Sequence, residues 1–265
     1  MLPPVAGPDE PWTPTEVPWL YCDDDLLAVD KPAGLPVHPS SRYLEGTVVG
    51  RLRARHGANF AAPVHRLDRE TSGVLLCARH RAAARGLSLA LQRGAWEKRY
   101  LAICRGQMTV PTQRVDAPLA VGGALIRIGV RVDAEQGRPA LTDLRRLAIW
   151  ESEGCPYTLV EATPFTGRRH QIRAHLRHVH LPVVGDKIYG DSEALYERFI
   201  ASQLTAEDWR GLRLARQALH AWQLWVPHPS SGARLHFVAP LPADLAALLP
   251  VEVAQSVALA ASSPG

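Results

Sequence analysis

The order of strand-like and helix-like segments limits the fold of this chain more than any other feature. Helices are predicted from Thr47 to Gly57, from 82 to 93 and from about 168 to 179. Apolar or alternating segments predict a hairpin over 19–30 and strands at 73–78, 96–104, 124–132, 144–150, 157–162, 218–226 and 234–238. Because strands outnumber helices and do not alternate regularly with them, we predict an α+β fold with a mixed, mainly antiparallel sheet and flanking helices and loops.

Two compositionally distinct segments mark the ends of the predicted domain. Residues 1–18 hold six prolines and little apolar surface, which predicts an extended lead-in. Residues 19–249 are predicted to form one domain, since a chain of 265 residues with 46% hydrophobic content can bury a full core. Residues 250–265 are rich in alanine and lack a clear amphipathic face, so we predict a C-terminal tail.

The positive charge is concentrated in two blocks. Residues 51–105 hold 12 lysines or arginines against three acids, a net charge of +9 in a chain whose total is +4. A second block, residues 168–187, carries five basic residues and four histidines against Asp186 alone. The charge is nearly all guanidinium, which grips phosphates and stacks on bases, so an anionic partner is expected. Arginine-rich composition also arises from genomic base bias, and that interpretation stays open.

Cysteine usage and the absence of targeting signals indicate a soluble cytoplasmic protein. The four cysteines, Cys22, Cys77, Cys104 and Cys155, are widely spaced and form no CxxC pair. Residues 1–16 lack the basic and apolar regions of a signal peptide. No segment reaches the roughly 18 uncharged apolar residues of a membrane span. We therefore expect no membrane association.

The segment Val64–Leu76 is the strongest candidate for a reactive site. It places Asp68 in a polar loop with Arg66 and Arg69, immediately before an apolar strand-like run. A carboxylate at such a point is both fixed and accessible. A turn-forming aspartate is the alternative. A Ser-His-Asp triad with His65 and Ser72 is disfavoured because residues so close in sequence rarely align in that geometry.

Other catalytic patterns are absent from the sequence or only weakly indicated by it. It contains no GxxxxGK[ST], GxGxxG or HExxH motif, which argues against a phosphate-cradling loop and a zincin helix. His175 and His178 would share one face of the predicted helix, as two metal ligands do, and His170 and His180 lie nearby. Flanking arginines would repel a cation there. A metal-dependent hydrolase built on these histidines is kept as a minor alternative.

Five short motifs occur together in this chain. They are Asp30-Lys31-Pro32-Ala33-Gly34, His65-Arg66-Leu67-Asp68-Arg69-Glu70-Thr71-Ser72-Gly73, Lys98-Arg99-Tyr100, the segment from Thr166 to Leu176, and Gly185-Asp186 with Tyr189-Gly190. In this order they resemble the RluA-type family of pseudouridine synthases, over a span from about residue 20 to about residue 248. The resemblance implies the catalytic fold of pseudouridine synthases and the isomerisation of uridine in RNA to pseudouridine.

The resemblance also implies roles for individual residues. Asp68 matches the catalytic aspartate, a nucleophile on uracil C6 or ribose C1′, and Arg173 matches its basic partner. Tyr100 matches the active-site tyrosine, whose ring stacks on the uracil and whose hydroxyl assists proton transfer. Arg66 matches the arginine that displaces the target nucleotide and fills its place. Further RNA contacts are expected from His65, Arg69, Lys98, Arg168 and His170.

The expected partner is RNA, either ribosomal or transfer RNA. We predict no metal, no organic cofactor and no obligate protein partner, and we expect a monomer. The match begins near residue 20, so the S4 domain that often precedes the catalytic domain is not expected. The insert 191–217 is either a substrate-facing element or a helical cover. An RNA-binding protein of the same fold that has lost catalysis is the main alternative.

Overall fold

The computed structural model describes residues 10–40, 43–122, 129–190 and 193–262. Its strands are β1 (Trp19–Cys22), β2 (Leu26–Lys31), β3 (Ala62–Pro63), β4 (Ser72–Ala78), β5 (Glu97–Arg105), β6 (Thr112–Asp116), β7 (Leu119–Val121), β8 (Val130–Val132), β9 (Leu141–Ser152), β10 (Cys155–Pro164), β11 (Leu219–Pro227) and β12 (Arg234–Val238). Its helices are α1 (Val48–His56), α2 (Arg81–Gln92), α3 (Gln171–His178), α4 (Glu193–Ile200), α5 (Ala206–Leu212), α6 (Ala243–Ala246) and α7 (Val251–Ser262). The predicted α+β class with a mainly antiparallel sheet is confirmed.

The chain divides into two compact units, the first formed mainly by residues 10–98 and 221–240. In this first unit the strands lie in the order β1, β2, β4 and β11, with β3 beside β4 and β12 beside β11. β2 and β4 are antiparallel, so Lys31 lies across from Gly73. A core of apolar residues from β2, β4, α2, β11 and β12 fills the unit. This core fixes the strand that follows the Asp68 loop.

The second unit comprises residues 99–220 and 241–259. Its strands lie in the order β5, β10, β9 and β6, all antiparallel. The short hairpin of β7 and β8 is separate from this sheet. Its residues Leu119 and Val130 pack with Ala174 of α3 and with Tyr189. The hairpin is thereby attached to the helix that carries Arg173.

Local signals predicted several element boundaries correctly. The Thr47 side chain accepts a hydrogen bond from the Gly50 N–H and caps α1, which ends before Gly57, as predicted. β12 has the predicted bounds. Residues 124–128 of the predicted strand at 124–132 lie outside the described residues, and residues 130–132 form β8.

The predicted helix from about 168 to 179 was wrong at its start. α3 begins only at Gln171, and His170 before it has a left-handed backbone with φ of 52°. The reason is the buried Gln171 side chain. Its Oε1 accepts from the Thr166 hydroxyl (2.7 Å) and the Arg168 N–H (3.0 Å), which holds 166–170 as a loop.

The two chain ends are more structured than expected. Thr13 and Val17 of the lead-in are buried, and the Glu10 carboxylate accepts from the backbone N–H groups of Leu44 and Gly46. Residues 251–262 form α7, with Val257 buried. Residues 1–9 and 263–265 lie outside the described residues. The domain boundaries at 18 and 249 stay a prediction.

The insert 191–217 contains α4 and α5, apart from residues 191 and 192, which lie outside the described part. A capping box between Thr205 and Asp208 begins α5, and Asp208 also pairs with Arg198 of α4. Among the described residues, no helix combines the length and apolar character needed to cross a membrane.

Candidate active site

Asp68 lies in a turn at the head of the most deeply buried strand of the first unit. The Thr71 N–H donates to the Asp68 carbonyl (3.1 Å), and β4 starts at the next residue. All seven residues of β4 are buried, whereas Asp68 is half-buried. Leu67 beside it is buried. Asp68 is therefore partly exposed while the backbone that follows it is anchored.

Lys31 ties a second loop to this turn. Its ammonium is fully buried and donates to the carbonyls of Pro32 (2.8 Å), Leu35 (2.8 Å) and Arg69 (3.0 Å). The Gly34 N–H donates to the same Arg69 carbonyl (2.9 Å). Sequence reasoning assigned no role to Lys31, although a lysine ending an apolar strand immediately before a proline-glycine loop is a detectable signal. A buried lysine stays in place only when its donors are satisfied.

His65 connects the loop that carries Asp68 to strand β4. Its Nε2 accepts from the Leu76 N–H of β4 (2.9 Å), and its ring meets Trp96 edge-on at 5.4 Å between centroids. Burial, reinforced by the nearby Lys98 charge, lowers the pKa of His65 to about 3, so the ring is neutral at physiological pH. This ring nitrogen is used within the protein, and the expected RNA contact of His65 stays a prediction.

The basic residues around Asp68 differ in how they are held. Arg69 donates to the Tyr43 hydroxyl (2.5 Å) and pairs with Glu70. Lys98 is half-buried, its Nζ lies 5.6 Å from the Trp96 ring centroid, and burial lowers its pKa. Arg66 is exposed. An exposed guanidinium two residues before Asp68 is free of the core and can contact an anionic ligand.

Arg173 belongs to the second unit and makes a buried, bidentate ion pair there. Its Nε donates to Asp186 Oδ2 (2.6 Å) and its Nη2 to Asp186 Oδ1 (2.8 Å), with both side chains almost fully buried. Burial opposes the charge of Asp186, but Arg173 and the N–H groups of Ile188 and Tyr189 together hold its pKa below the usual value. The sequence motif contained Asp186, yet sequence reasoning did not identify it as a partner of Arg173.

Tyr100 is half-buried on β5, across from Ala162 of β10. The next four residues of β5, Leu101 to Cys104, are buried. Tyr100 and Arg173 therefore share the second unit, while Asp68 belongs to the first. The joint arrangement of these three residues stays a prediction.

The loop before α3 holds two residues expected to contact RNA. Arg168 Nε donates to the Pro139 carbonyl (2.9 Å). His170 Nδ1 lies 3.0 Å from the Tyr189 hydroxyl, and the two rings meet edge-on. Both side chains are thus oriented by the protein itself, and their RNA contacts stay a prediction.

The histidine cluster does not have the geometry of a metal site. His175 is fully buried and uses both ring nitrogens, Nδ1 with Thr142 Oγ1 and Nε2 with the Ala117 carbonyl, each at 2.9 Å. Within the described ranges, no group of three or more His, Cys, Asp or Glu side chains is arranged to hold a metal ion. Both ring nitrogens of His175 are thus engaged within the protein.

Comparison with known proteins gives consistent matches. A family model described as RNA pseudouridylate synthase matches residues 25–178. The chain is 38% identical to ribosomal large subunit pseudouridine synthase D of Nitrosomonas europaea, over 87% of this chain and 63% of that protein. It is also 38% identical to synthase C of Escherichia coli K12, over 84% of this chain and 66% of that protein. The chain thus spans slightly less than two thirds of the length of these two relatives.

Two solved structures of similar proteins also carry the words RNA Pseudouridylate Synthase in their names. Human RNA Pseudouridylate Synthase Domain Containing 1 has 26% sequence identity and a TM-score of 0.71, covering 97% of this chain and all of that one. Human RNA Pseudouridylate Synthase Domain Containing 4, at 23% identity and a TM-score of 0.66, shares the fold over 94% of this chain and 95% of that one.

Proposed function

Because the chain belongs to the RNA pseudouridylate synthase family, we propose that it isomerises specific uridines in structured RNA to pseudouridine. The observation that carries the proposal is the Asp68 turn, in which a half-buried aspartate precedes a buried strand and Lys31 binds the neighbouring Arg69 carbonyl. A fixed and accessible carboxylate is what covalent catalysis requires of a nucleophile.

In the proposed reaction the bond between ribose C1′ and uracil N1 breaks, the base turns, and C1′ bonds to C5. C5 loses a proton and N1 gains one, so the product is an isomer of the substrate, and the transient bond to Asp68 breaks before release. Asp68 attacks either uracil C6 or ribose C1′. Arg173 acts as its basic partner, and a guanidinium beside a carboxylate favours the ionised, nucleophilic form. Tyr100 stacks on the uracil and assists proton transfer. These roles rest on the family resemblance.

RNA is held by the exposed arginines of the first unit and by the loop before α3. Arg66 displaces the target nucleotide, a step that requires a few kcal/mol of unstacking energy. Ribosomal RNA is the favoured substrate, because the relatives cited above are named for the large ribosomal subunit. Transfer RNA stays the alternative. A cytoplasmic location and a monomeric state also stay predictions.

Replacement of the nucleophile tests the function. Purified protein is incubated with transcripts of large-subunit ribosomal RNA and of transfer RNA, and pseudouridine is mapped in each. We expect Asp68→Asn, which preserves shape and removes the charge, to lower turnover at least about a thousandfold while RNA binding is retained. Asp24→Asn removes an exposed acid of the same unit and is the matched control.

The outcomes separate the alternatives. If Asp68→Asn turns over like the wild type, the catalytic assignment is wrong. If the wild-type protein binds both RNAs but modifies neither, it is the inactive RNA-binding protein of the same fold.

A further inference from the structure

Tyr189 lies where three parts of the second unit meet. Its ring centroid is 5.0 Å from the Arg173 guanidinium carbon. Its hydroxyl accepts from the Val130 N–H (2.7 Å) and lies 3.0 Å from His170 Nδ1. The side chain is buried. One residue thus contacts α3, the β7–β8 hairpin and the loop before α3.

Two contacts together determine the orientation of the Arg173 guanidinium. The Asp186 carboxylate accepts hydrogen bonds from Nε and Nη2 of Arg173. This bidentate pair fixes the rotation of the guanidinium within its own plane. The Tyr189 ring lies within cation–π distance of the group and restricts its tilt. Asp186 and Tyr189 together therefore constrain the direction of the Arg173 guanidinium.

The Tyr189 hydroxyl links this guanidinium to the hairpin. Val130 is the first residue of β8, and its N–H donates to Tyr189. Val130 and Leu119 of the hairpin share one buried apolar cluster with Ala174 and the Tyr189 ring. Because this cluster is packed, a displacement of Leu119 or Val130 shifts the ring, and with it the guanidinium that the ring contacts.

We propose that Tyr189 is a positioning residue that couples the β7–β8 hairpin to Arg173. The inference rests on the proposed function and extends it, since it makes turnover depend on the position of the hairpin. It assigns Tyr189 no contact with the reacting atoms. A purely structural Tyr189 would affect stability and leave the turnover of the folded protein unchanged.

Tyr189→Phe tests the coupling because it keeps the ring and removes the hydroxyl. We expect kcat to fall about tenfold, the effect of one misplaced hydrogen-bonded group, with KM for RNA changed less than twofold. Tyr157→Phe is the matched control. Tyr157 is buried, accepts from Arg213 Nη1 (2.9 Å) and lies under that guanidinium at 5.1 Å. Tyr157 lies five residues before Ala162 on β10, a distance of about 17 Å at the usual rise of a strand, and Ala162 pairs with Tyr100. Tyr157 is therefore remote from Tyr100. We expect a similar loss of stability and an unchanged kcat.

A double-mutant cycle shows whether the effect passes through Arg173. Arg173→Lys removes the planar fork, so Tyr189→Phe in that background should change kcat less than twofold. Val130→Pro, which removes the N–H donor at the first residue of a strand, should lower kcat as Tyr189→Phe does. The Val130→Pro variant tests the same coupling if Tyr189→Phe does not fold.

The outcomes of these experiments distinguish the proposed Tyr189 coupling from the proposed synthase function. If Asp68→Asn abolishes turnover while Tyr189→Phe and Val130→Pro both match Tyr157→Phe in kcat, the coupling is overturned and the synthase function stands. Additive effects of Tyr189→Phe and Arg173→Lys also overturn it. If the wild-type protein makes no pseudouridine, both fail.

Discussion

At the scale of single residues, buried polar groups around the candidate site are satisfied in different ways. Lys31 has three backbone carbonyls as acceptors, whereas Arg173 has a carboxylate in bidentate geometry. His65 carries no charge at neutral pH, because its pKa is lowered to about 3, so its ring needs no counter-ion. Each solution joins segments distant in sequence, so each fixes a loop that carries a proposed functional residue.

The neutral state of His65 makes stability depend on pH. Its pKa is about 3 in the folded chain and about 6.5 in the unfolded chain, so the unfolded state alone takes up a proton between these values. The contribution of His65 is complete above about pH 6.5 and is lost as the pH falls. Between pH 7 and pH 5, we expect the wild type to lose about 1–2 kcal/mol more unfolding free energy than His65→Gln.

Urea unfolding of both proteins at the two pH values measures this difference. Gln keeps an acceptor for the Leu76 N–H and has no titrating group. His178→Gln, at an exposed histidine, controls for the loss of a histidine as such. Parallel losses in the wild type and His65→Gln would rule out the proposed proton linkage.

At the scale of elements, the position of β4 depends on a glycine. Gly73 has φ of 110°, and a Cβ placed there would lie 2.1 Å from the Ala221 carbonyl oxygen of β11. No side chain fits between these backbones. The close approach lies directly after the Asp68 turn, so the same packing that excludes a side chain also anchors the turn.

Gly73→Ala should therefore be among the most damaging single substitutions in the chain. We expect a loss of more than about 4 kcal/mol in unfolding free energy, because a backbone collision adds to the positive φ. Gly94→Ala is the control, since Gly94 has φ of 73° and open space at the Cβ position. Its cost should be about 1 kcal/mol. Thermal unfolding of both variants measures the contrast, and equal costs would contradict the role of β11.

At the scale of the whole molecule, the basic charge is unevenly distributed. Helix α1 carries arginines at 51, 53 and 55 and no acid in its first turn, and Arg53 and Arg55 are exposed. Two other exposed arginines are paired within the protein, Arg114 with Asp143 and Arg234 with Glu97. Only cations that are not already paired displace counterions from RNA efficiently.

The double variant Arg53→Gln and Arg55→Gln should bind RNA more weakly and with less dependence on salt. Each lost phosphate contact reduces the slope of log K against log salt concentration by about 0.7–1, so a decrease of about 1–2 is expected. Arg114→Gln with Arg234→Gln removes the same charge and should change the slope by less than about 0.5. Binding titrations at several salt concentrations measure both slopes. Equal slopes in the two double variants would show that total charge alone matters.

Sequence reasoning was accurate wherever the controlling interactions are local. Thr47 caps the helix that follows it, and Gly57 ends it, within a dozen residues. The apolar run after Asp68 was predicted to be a buried strand, and in the structure it forms β4 with all its residues buried. The motif pattern also identified the family. For the helix and the strand the signal lies within a few residues of the structure it specifies, whereas the family pattern is a series of short motifs spread along the chain.

The sequence alone therefore determined the fold class, the family and the candidate reactive residues. Tertiary structure alone decided which groups hold those residues: Lys31 for the Asp68 turn, and Asp186 and Tyr189 for Arg173. It also decided that 166–170 forms a loop. Leu141 and Thr142 of β9 anchor the Gln171 amide nitrogen, and the amide oxygen then holds Thr166 and Arg168. These outcomes depend on burial and on pairing between segments far apart in sequence, and no local pattern encodes either.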